Sequence, residues 1–229
     1  MKMKTNSSHT PIPKTDGRRL RGERTRQAVL TEAIRIASAE GLEGLTFGRV
    51  AQAAGIPKST LQVLFKDREA LQSQTLSAGA EAFADGIRAR LPKHVGAFEH
   101  LVALCHAWFD LVSDGALPGG CLVTAATAEY RARPGTIQTL VATHRDRWRD
   151  VLLTSAHTAQ KEGALRDDVD VEQLVFEILA FQGSANVSNP EPALSDLDRA
   201  RRSVDNLLER AKPARPAKAI ARRSRAAHR

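Results

Sequence analysis

Aromatic residues are scarce in this chain of 229 residues: seven Phe, two Trp and a single Tyr, 4% of the total. Sheets draw heavily on aromatic and β-branched side chains, so so few rings beside abundant Ala and Leu favour helix packed on helix, an all-α fold. Cysteine is nearly absent. Cys105 and Cys121 are too few for a disulfide framework and have no metal-type pairing, which fits a reduced, cytoplasmic setting. No run approaches the roughly 18 apolar residues a membrane helix needs, and the first lysines are not followed by an apolar stretch. Neither membrane anchor nor secretion signal is therefore expected. Ser/His/Asp spacing, paired carboxylates and a glycine-rich phosphate loop are also missing, so an enzyme and a bound cofactor are not expected.

Negative charge is scarce at the two ends. Residues 1–26 carry eight Lys/Arg against two acids, and residues 211–229 carry seven against none. These ends contribute +6 and +7 to a total of +8, which leaves −5 for everything between. The high pI therefore belongs to the tails, and by itself says little about nucleic acid.

Residues 1–22 mix Thr, Ser, Pro, Gly and Lys/Arg with almost nothing apolar and are expected to form a disordered basic arm. Such an arm serves as a solubilising tail, or lays Arg18, Arg19 and Arg21 in a minor groove. From about Arg24, Leu30, Ile34 and Ala37 follow i, i+4, i+7 spacing, giving a helix to about Glu40 that Gly41 stops. Thr46 is a cap for a second helix, on which Phe47, Val50, Ala51 and Ala54 form one apolar stripe. Gly55 supplies a tight turn, and Pro57 suits the start of a third helix. There Leu61, Leu64 and Phe65 point inward, leaving Lys58, Ser59, Thr60, Gln62 and Val63 outward. Small, polar and basic residues on an exposed short helix suit a major groove. The same pattern also fits an ordinary three-helix cluster with a solvated face.

The run Val29-Leu30-Thr31-Glu32-Ala33-Ile34-Arg35-Ile36, Gly41, Thr46-Phe47-Gly48-Arg49-Val50-Ala51, Ala54-Gly55, Lys58-Ser59-Thr60-Leu61, Phe65 and Glu69-Ala70-Leu71 resembles the TetR family of transcriptional regulators. The match spans roughly residues 24–75. It implies an all-helical homodimer with a DNA-binding domain over residues 23–72 and a domain for ligand binding and dimerisation over 73–211. A basic tail over 212–229 would follow. The resemblance places Thr46, Lys58, Thr60 and Lys66 at phosphate or sugar positions, and Ser59, Gln62 and Val63 at base edges. This chain departs from the family where Pro57 stands for the usual serine, Gln62 for an aromatic and Val63-Leu64 for His-His. Such changes bear on which operator is read, with Gln62 able to pair with adenine and Val63 to touch a thymine methyl.

Asp67 caps a fourth helix whose Leu76, Ala80, Phe83 and Ile87 continue one apolar face to Leu91-Pro92. Ala97 to about Ser113 is a strongly apolar helix. Residues 121–130 hold a short helix, and Arg133-Pro134-Gly135 opens a long one to about Lys161. Asp170 with Gln173 reads as a capping box for the next helix. A last helix carries Leu197, Ala200, Val204, Leu207 and Leu208 at near-heptad spacing. Together with Leu174 and Ile178, these residues are the expected dimer seam. Helices that surround the ligand cavity in the resembled family carry Trp108, Cys121, Thr124, Ala125, Tyr130, His144, Trp148 and Phe181. Each is a candidate for ligand contact and equally for plain core. His100 and His106, six residues apart, lie about 120° from each other around a helix, and adjacent Cys105 and His106 diverge, so no metal is expected. The partners expected are double-stranded operator DNA, an unknown small molecule and a second copy of the chain. A helical small-molecule scaffold without operator recognition is the alternative.

Overall fold

The computed structural model describes residues 14–115, 117–187 and 196–214, with side chains described from Arg19 onward. Among these residues every regular element is helical: α1 (Lys14–Glu40), a 3₁₀ turn (Leu42–Gly44), α2 (Phe47–Ala53), α3 (Lys58–Leu64), α4 (Arg68–Arg90), α5 (Ala97–Ser113), α6 (Leu122–Glu129), α7 (Thr136–Lys161), α8 (Val171–Val187) and α9 (Asp196–Ala211). The all-α expectation holds. The start of α1 is ten residues earlier than the apolar repeat indicates. Residues 14–22 are helical although they carry no apolar repeat, because a helix once nucleated extends cheaply over residues such as Arg and Leu. The rest of the expected arm, 1–13, and the tail from 215 lie outside the described residues.

Caps operate where the side chains allow. Thr46 Oγ1 accepts from Arg49 N at 3.2 Å, and Asp67 Oδ1 accepts from Ala70 N at 2.8 Å. Asp170 Oδ1 accepts from Gln173 N at 3.0 Å, but Gln173 Nε2 turns to Glu177 Oε1, so only half of the capping box forms. Pro57 sits one position before the helix expected to include it, in extended backbone at φ −60°, ψ 140°.

Two apolar clusters hold the fold. One gathers Val29, Ala33, Leu42, Leu45, Val50, Leu61, Phe65, Leu71 and Leu76 with Leu122, Ala126, Tyr130, Ile137 and Val141. The other joins α5, α7, α8 and α9 around Leu101, Trp108, Phe109, Leu152, Val175, Ile178, Val204 and Leu208. Each fully buried Leu or Ile contributes about 1.5–3 kcal/mol. Residues of α6 and the start of α7 are buried with the helix-turn-helix. The short α6 has too little surface to form a core alone and shares that of α1 and α4.

The expected dimer seam is largely consumed inside one chain. Leu174, Ile178, Ala200, Val204 and Leu208 are buried where α8 and α9 pack together, and Leu197 and Leu207 are half-buried against the same core. The heptad-like spacing was matched by a helix of the same chain, an outcome that periodicity cannot distinguish from a second chain. The outward face of α8 instead carries Phe176, 65% exposed, and Val187, 72% exposed, in line with exposed Ala180. The end of α9 is tied down by Arg166, whose N–H donates to the Ala211 carbonyl at 3.0 Å and whose guanidinium donates to the Arg210 carbonyl.

Trp108 is fully enclosed, edge-on to Phe109 at 5.2 Å and to Phe83 at 6.3 Å between ring centroids. Truncation Trp108→Ala is expected to lower the unfolding free energy by about 3–5 kcal/mol, read from urea denaturation.

Candidate functional site

The exposed face of α3 is defined by what lies beneath it. Leu61 and Phe65 are fully buried, and the Phe65 ring is covered by the Arg26 guanidinium, 5.1 Å from its centroid. Arg26 is itself held by Gln74 Oε1 at 2.5 Å, so the anchor is tied to α1 and α4 together. With these two side chains fixed, Lys58, Ser59, Gln62 and Val63 face solvent, as does Lys66 just beyond the helix. Val63 is 87% exposed, an unusual position for a branched apolar side chain with no role outside the chain. Thr60 is half-buried, so its hydroxyl lies at the edge of this face. The exposed Thr46 uses its hydroxyl oxygen as a cap acceptor and keeps its hydrogen to donate. Arg49 and Arg68 are engaged elsewhere: Arg49 pairs with Glu40, and Arg68 donates to the Leu45 carbonyl at 2.9 Å and pairs with Glu43 at 3.0 Å.

The residues expected around a ligand separate into two groups. Trp108, Cys121, Trp148 and Phe181 belong to or pack on the core of the C-terminal helices. Tyr130 does not. It is buried with the helix-turn-helix, and its hydroxyl donates to Glu43 Oε1 at 2.6 Å. The single tyrosine therefore faces the junction between the domains. Thr124 and Ala125 are half-buried on α6, and the Thr124 hydroxyl is engaged with the Cys121 thiol. Burial pushes the Cys105 thiol up to about 12, with Asp205 adding to it, and raises the Cys121 thiol as well, so both stay protonated packing groups.

His144 and Trp148, four apart on α7, share a face of the helix. The indole Nε1–H donates to Gln182 Oε1 on α8 at 3.0 Å. That bond settles the amide's orientation, since an indole nitrogen can only donate. Gln182 Nε2 is then a donor inside the protein with no partner among the described residues, although Gln182 is only 2% exposed. His144 Nε2 on α7 and Thr75 Oγ1 on α4 are likewise buried without partners. Burial, then the nearby Arg147, lowers the His144 pKa despite Glu81, so the ring is neutral at pH 7. Nothing in the spacing of Gln182 marked it beforehand. Thr75 was equally silent as a small polar residue within an apolar face.

His100 Nδ1 is bonded to Ser155 Oγ at 3.1 Å, and His106 Nε2 lies 2.6 Å from Asp205 Oδ1. The two histidines hold different helices. Open grooves occur elsewhere, one of about 580 Å³ lined by Val95, His100, Val151 and Glu162, another of about 450 Å³ lined by Tyr130, Arg131, Gln138 and Arg145. No described helix is long and apolar enough to cross a membrane.

Residues 97–210 match the family described as "Tetracyclin repressor-like, C-terminal domain". No curated protein matches the sequence significantly. The fold is similar to that of a TetR transcriptional regulator from Chloroflexus aurantiacus (22% identity, 84% of this chain and 92% of that one, TM-score 0.68). It is also similar to a TetR-family regulator from Cytophaga hutchinsonii (17% identity, 85% and 98%, TM-score 0.75). A third similar structure is AibR in complex with isovaleryl coenzyme A and operator DNA (20% identity, 83% and 100%, TM-score 0.64).

The Glu43 carboxyl is held below its ordinary range, first by the Tyr130 hydroxyl and then by Arg68 and Arg133. A depressed carboxyl stabilises the fold fully above its unfolded value, about 4.3, and loses that contribution as pH falls through the lower folded value. Tyr130→Phe is therefore expected to cost on the order of 1 kcal/mol or less at pH 7, since Glu43 is partly exposed, and still less at pH 3. Urea titrations at the two pH values compare them.

Proposed function

Because the chain belongs to the TetR family of transcriptional regulators, we propose that it is a homodimeric repressor, held on a near-palindromic operator through α3 and released by a small molecule. The observation that carries this reading is the face of α3: Lys58, Ser59, Gln62 and Val63 stand clear of a backbone anchored by Leu61 and Phe65. Lys58, Thr46, Thr60 and Lys66 position the helix through phosphates, and Ser59, Gln62 and Val63 meet base edges. Dimerisation sets two such helices in successive major grooves, about 34 Å apart. A second copy meets the outer face of α8, where Phe176, Ala180 and Val187 supply the unsatisfied apolar surface. The structure of AibR with isovaleryl coenzyme A and operator DNA supports this pairing of ligand and operator in one fold.

The ligand binds beside His144, Trp148 and Gln182. It carries a hydrogen-bond acceptor, because Gln182 offers only its amide N–H groups, and that part is uncharged, because the neutral His144 provides no counter-ion. Release follows from the ligand's differential affinity for conformations in which the two α3 helices do or do not match the operator spacing.

A duplex selected from random DNA by the purified protein provides the test. Gln62→Ala is expected to cost about 1–3 kcal/mol and relax preference at one base pair, whereas Lys58→Ala weakens all sequences and lowers the salt slope by about 1. Failure of the wild-type chain to enrich any sequence would leave the helical scaffold in its place. Phe176→Arg is expected to shift the sedimenting species from dimer to monomer. For the ligand core, His144→Phe removes a buried nitrogen without a partner and is expected to raise stability by about 1 kcal/mol while leaving DNA affinity within twofold. Destabilisation would place His144 among ordinary structural residues.

A further inference from the structure

The 3₁₀ turn between α1 and α2 has its own backbone bonds, Gly44 N–H to the Gly41 carbonyl and Leu45 N–H to the Leu42 carbonyl at 3.1 Å each, and is held further from outside. Gly41 occupies its cap position at φ 78°, ψ 167°, a backbone region essentially limited to glycine, so no side chain of its own satisfies the first N–H groups. Glu129, the last residue of α6, does so instead: Oε2 accepts from Leu42 N at 2.9 Å and Oε1 from Glu43 N at 2.8 Å. A Cβ on Gly41 would lie 2.9 Å from both carboxylate oxygens. The carbonyl of Leu42 is taken from another side by buried Gln72 of α4, at 2.9 Å. One turn before the cap, the Gly119 N–H donates to Ser38 Oγ at 2.9 Å, and a Cβ at Gly119 would fall 1.7 Å from the Ser38 carbonyl oxygen. The loop before α6 therefore lies directly on the end of α1.

The opposite end of α6 is gripped as well. Asn186 of α8 accepts from Cys121 N at 2.7 Å and donates to the Cys121 carbonyl at 3.2 Å, closing a two-bond clasp on the residue that begins α6. Asn186 lies one helical turn beyond Gln182, on the same side of α8. A continuous set of bonded groups thus runs from α8 through α6 to the turn that leads into α2 and α3.

We propose that α6 is a strut clamped at both ends, in which Glu129 is the positioning residue that caps the α1–α2 turn from the ligand domain and Asn186 transmits movement of α8 into it. This rests on the reading of the chain as a ligand-responsive DNA binder. Displacement of α8 by a ligand at Gln182 shifts the clasp on Cys121. The rigid short helix carries the shift to Glu129, and loss of the cap frees the turn that orients α3. Thus α4, which connects the halves covalently, shares the coupling with a noncovalent route.

The test compares Glu129→Ala, Asn186→Ala and the double variant in the full chain by amide hydrogen exchange, which requires neither DNA nor ligand. Each single variant is expected to accelerate exchange of the buried α2 and α3 amides, Val50 and Leu61 among them, about tenfold, while Val175 and Ile178 of α8 keep wild-type protection. Sites at opposite ends of a helix ordinarily act additively. A strut predicts that the double variant exchanges no faster than either single one, because releasing one end already unloads the other. Glu129→Gln, which retains one acceptor oxygen, falls between wild type and Glu129→Ala. The proposal fails if Asn186→Ala leaves α2 and α3 within twofold of wild type, if the two effects multiply, or if α8 loses protection equally in every variant. Operator affinity is then measured for the same set, with about a tenfold loss expected for either single variant. If the wild-type chain binds no operator at all, the regulator reading fails while the exchange result still decides the strut.

Discussion

Burial of Leu122, Ala126, Tyr130, Ile137 and Val141 in the core that also holds Leu42, Leu61 and Phe65 is the constraint on which the arrangement depends. A helix-turn-helix of this size encloses little apolar area by itself. Here it completes its core with α6 and the first turns of α7, so the exposed face of α3 is oriented against the C-terminal helices. The polar contacts at the junction, Tyr130 to Glu43 and Glu129 to the 3₁₀ turn, operate on surfaces that this shared core has already brought together.

The C-terminal helices show the opposite balance. Their core is apolar, yet Gln182 on α8 and His144 on α7 bring polar atoms inside without partners, as does Thr75 on the adjoining α4. Each such atom costs free energy that an apolar replacement of similar shape would avoid. Concentration of these atoms on neighbouring helices, beside an indole that fixes the orientation of one of them, distinguishes this region from the rest of the interior. The same helices present an outer face, at Phe176 and Val187, that remains apolar and uncovered within one chain. Inward polar groups and outward apolar ones invert the usual distribution.

Much of the helix-turn-helix was legible because its determinants are local. Thr46 and Asp67 act on amides three residues away, and the alternation of Leu61, Leu64 and Phe65 with polar neighbours defines which side of α3 is outward. The destination of the α9 stripe was not legible, since Val204 and Leu208 satisfy the same periodicity whether they meet α8 of their own chain or another chain. The packing of Tyr130 was hidden for a related reason. Its position on the short α6 was evident, but which of two cores that helix faces was not. The early start of α1 was hidden because Lys14 to Gly22 have no apolar repeat, and that region is helical without one.

The sequence by itself determined the helical class, the extents of α4, α5 and α7, the turn at Gly55 and the exposed face of α3, because propensity, capping and side-chain spacing all act within a few residues. Only the tertiary structure decided that Glu129 caps a turn 87 positions away, that Asn186 grips the start of α6, and that Gln182 is left with a buried donor. Those contacts depend on how finished helices pack. No residue's immediate neighbours carry that information.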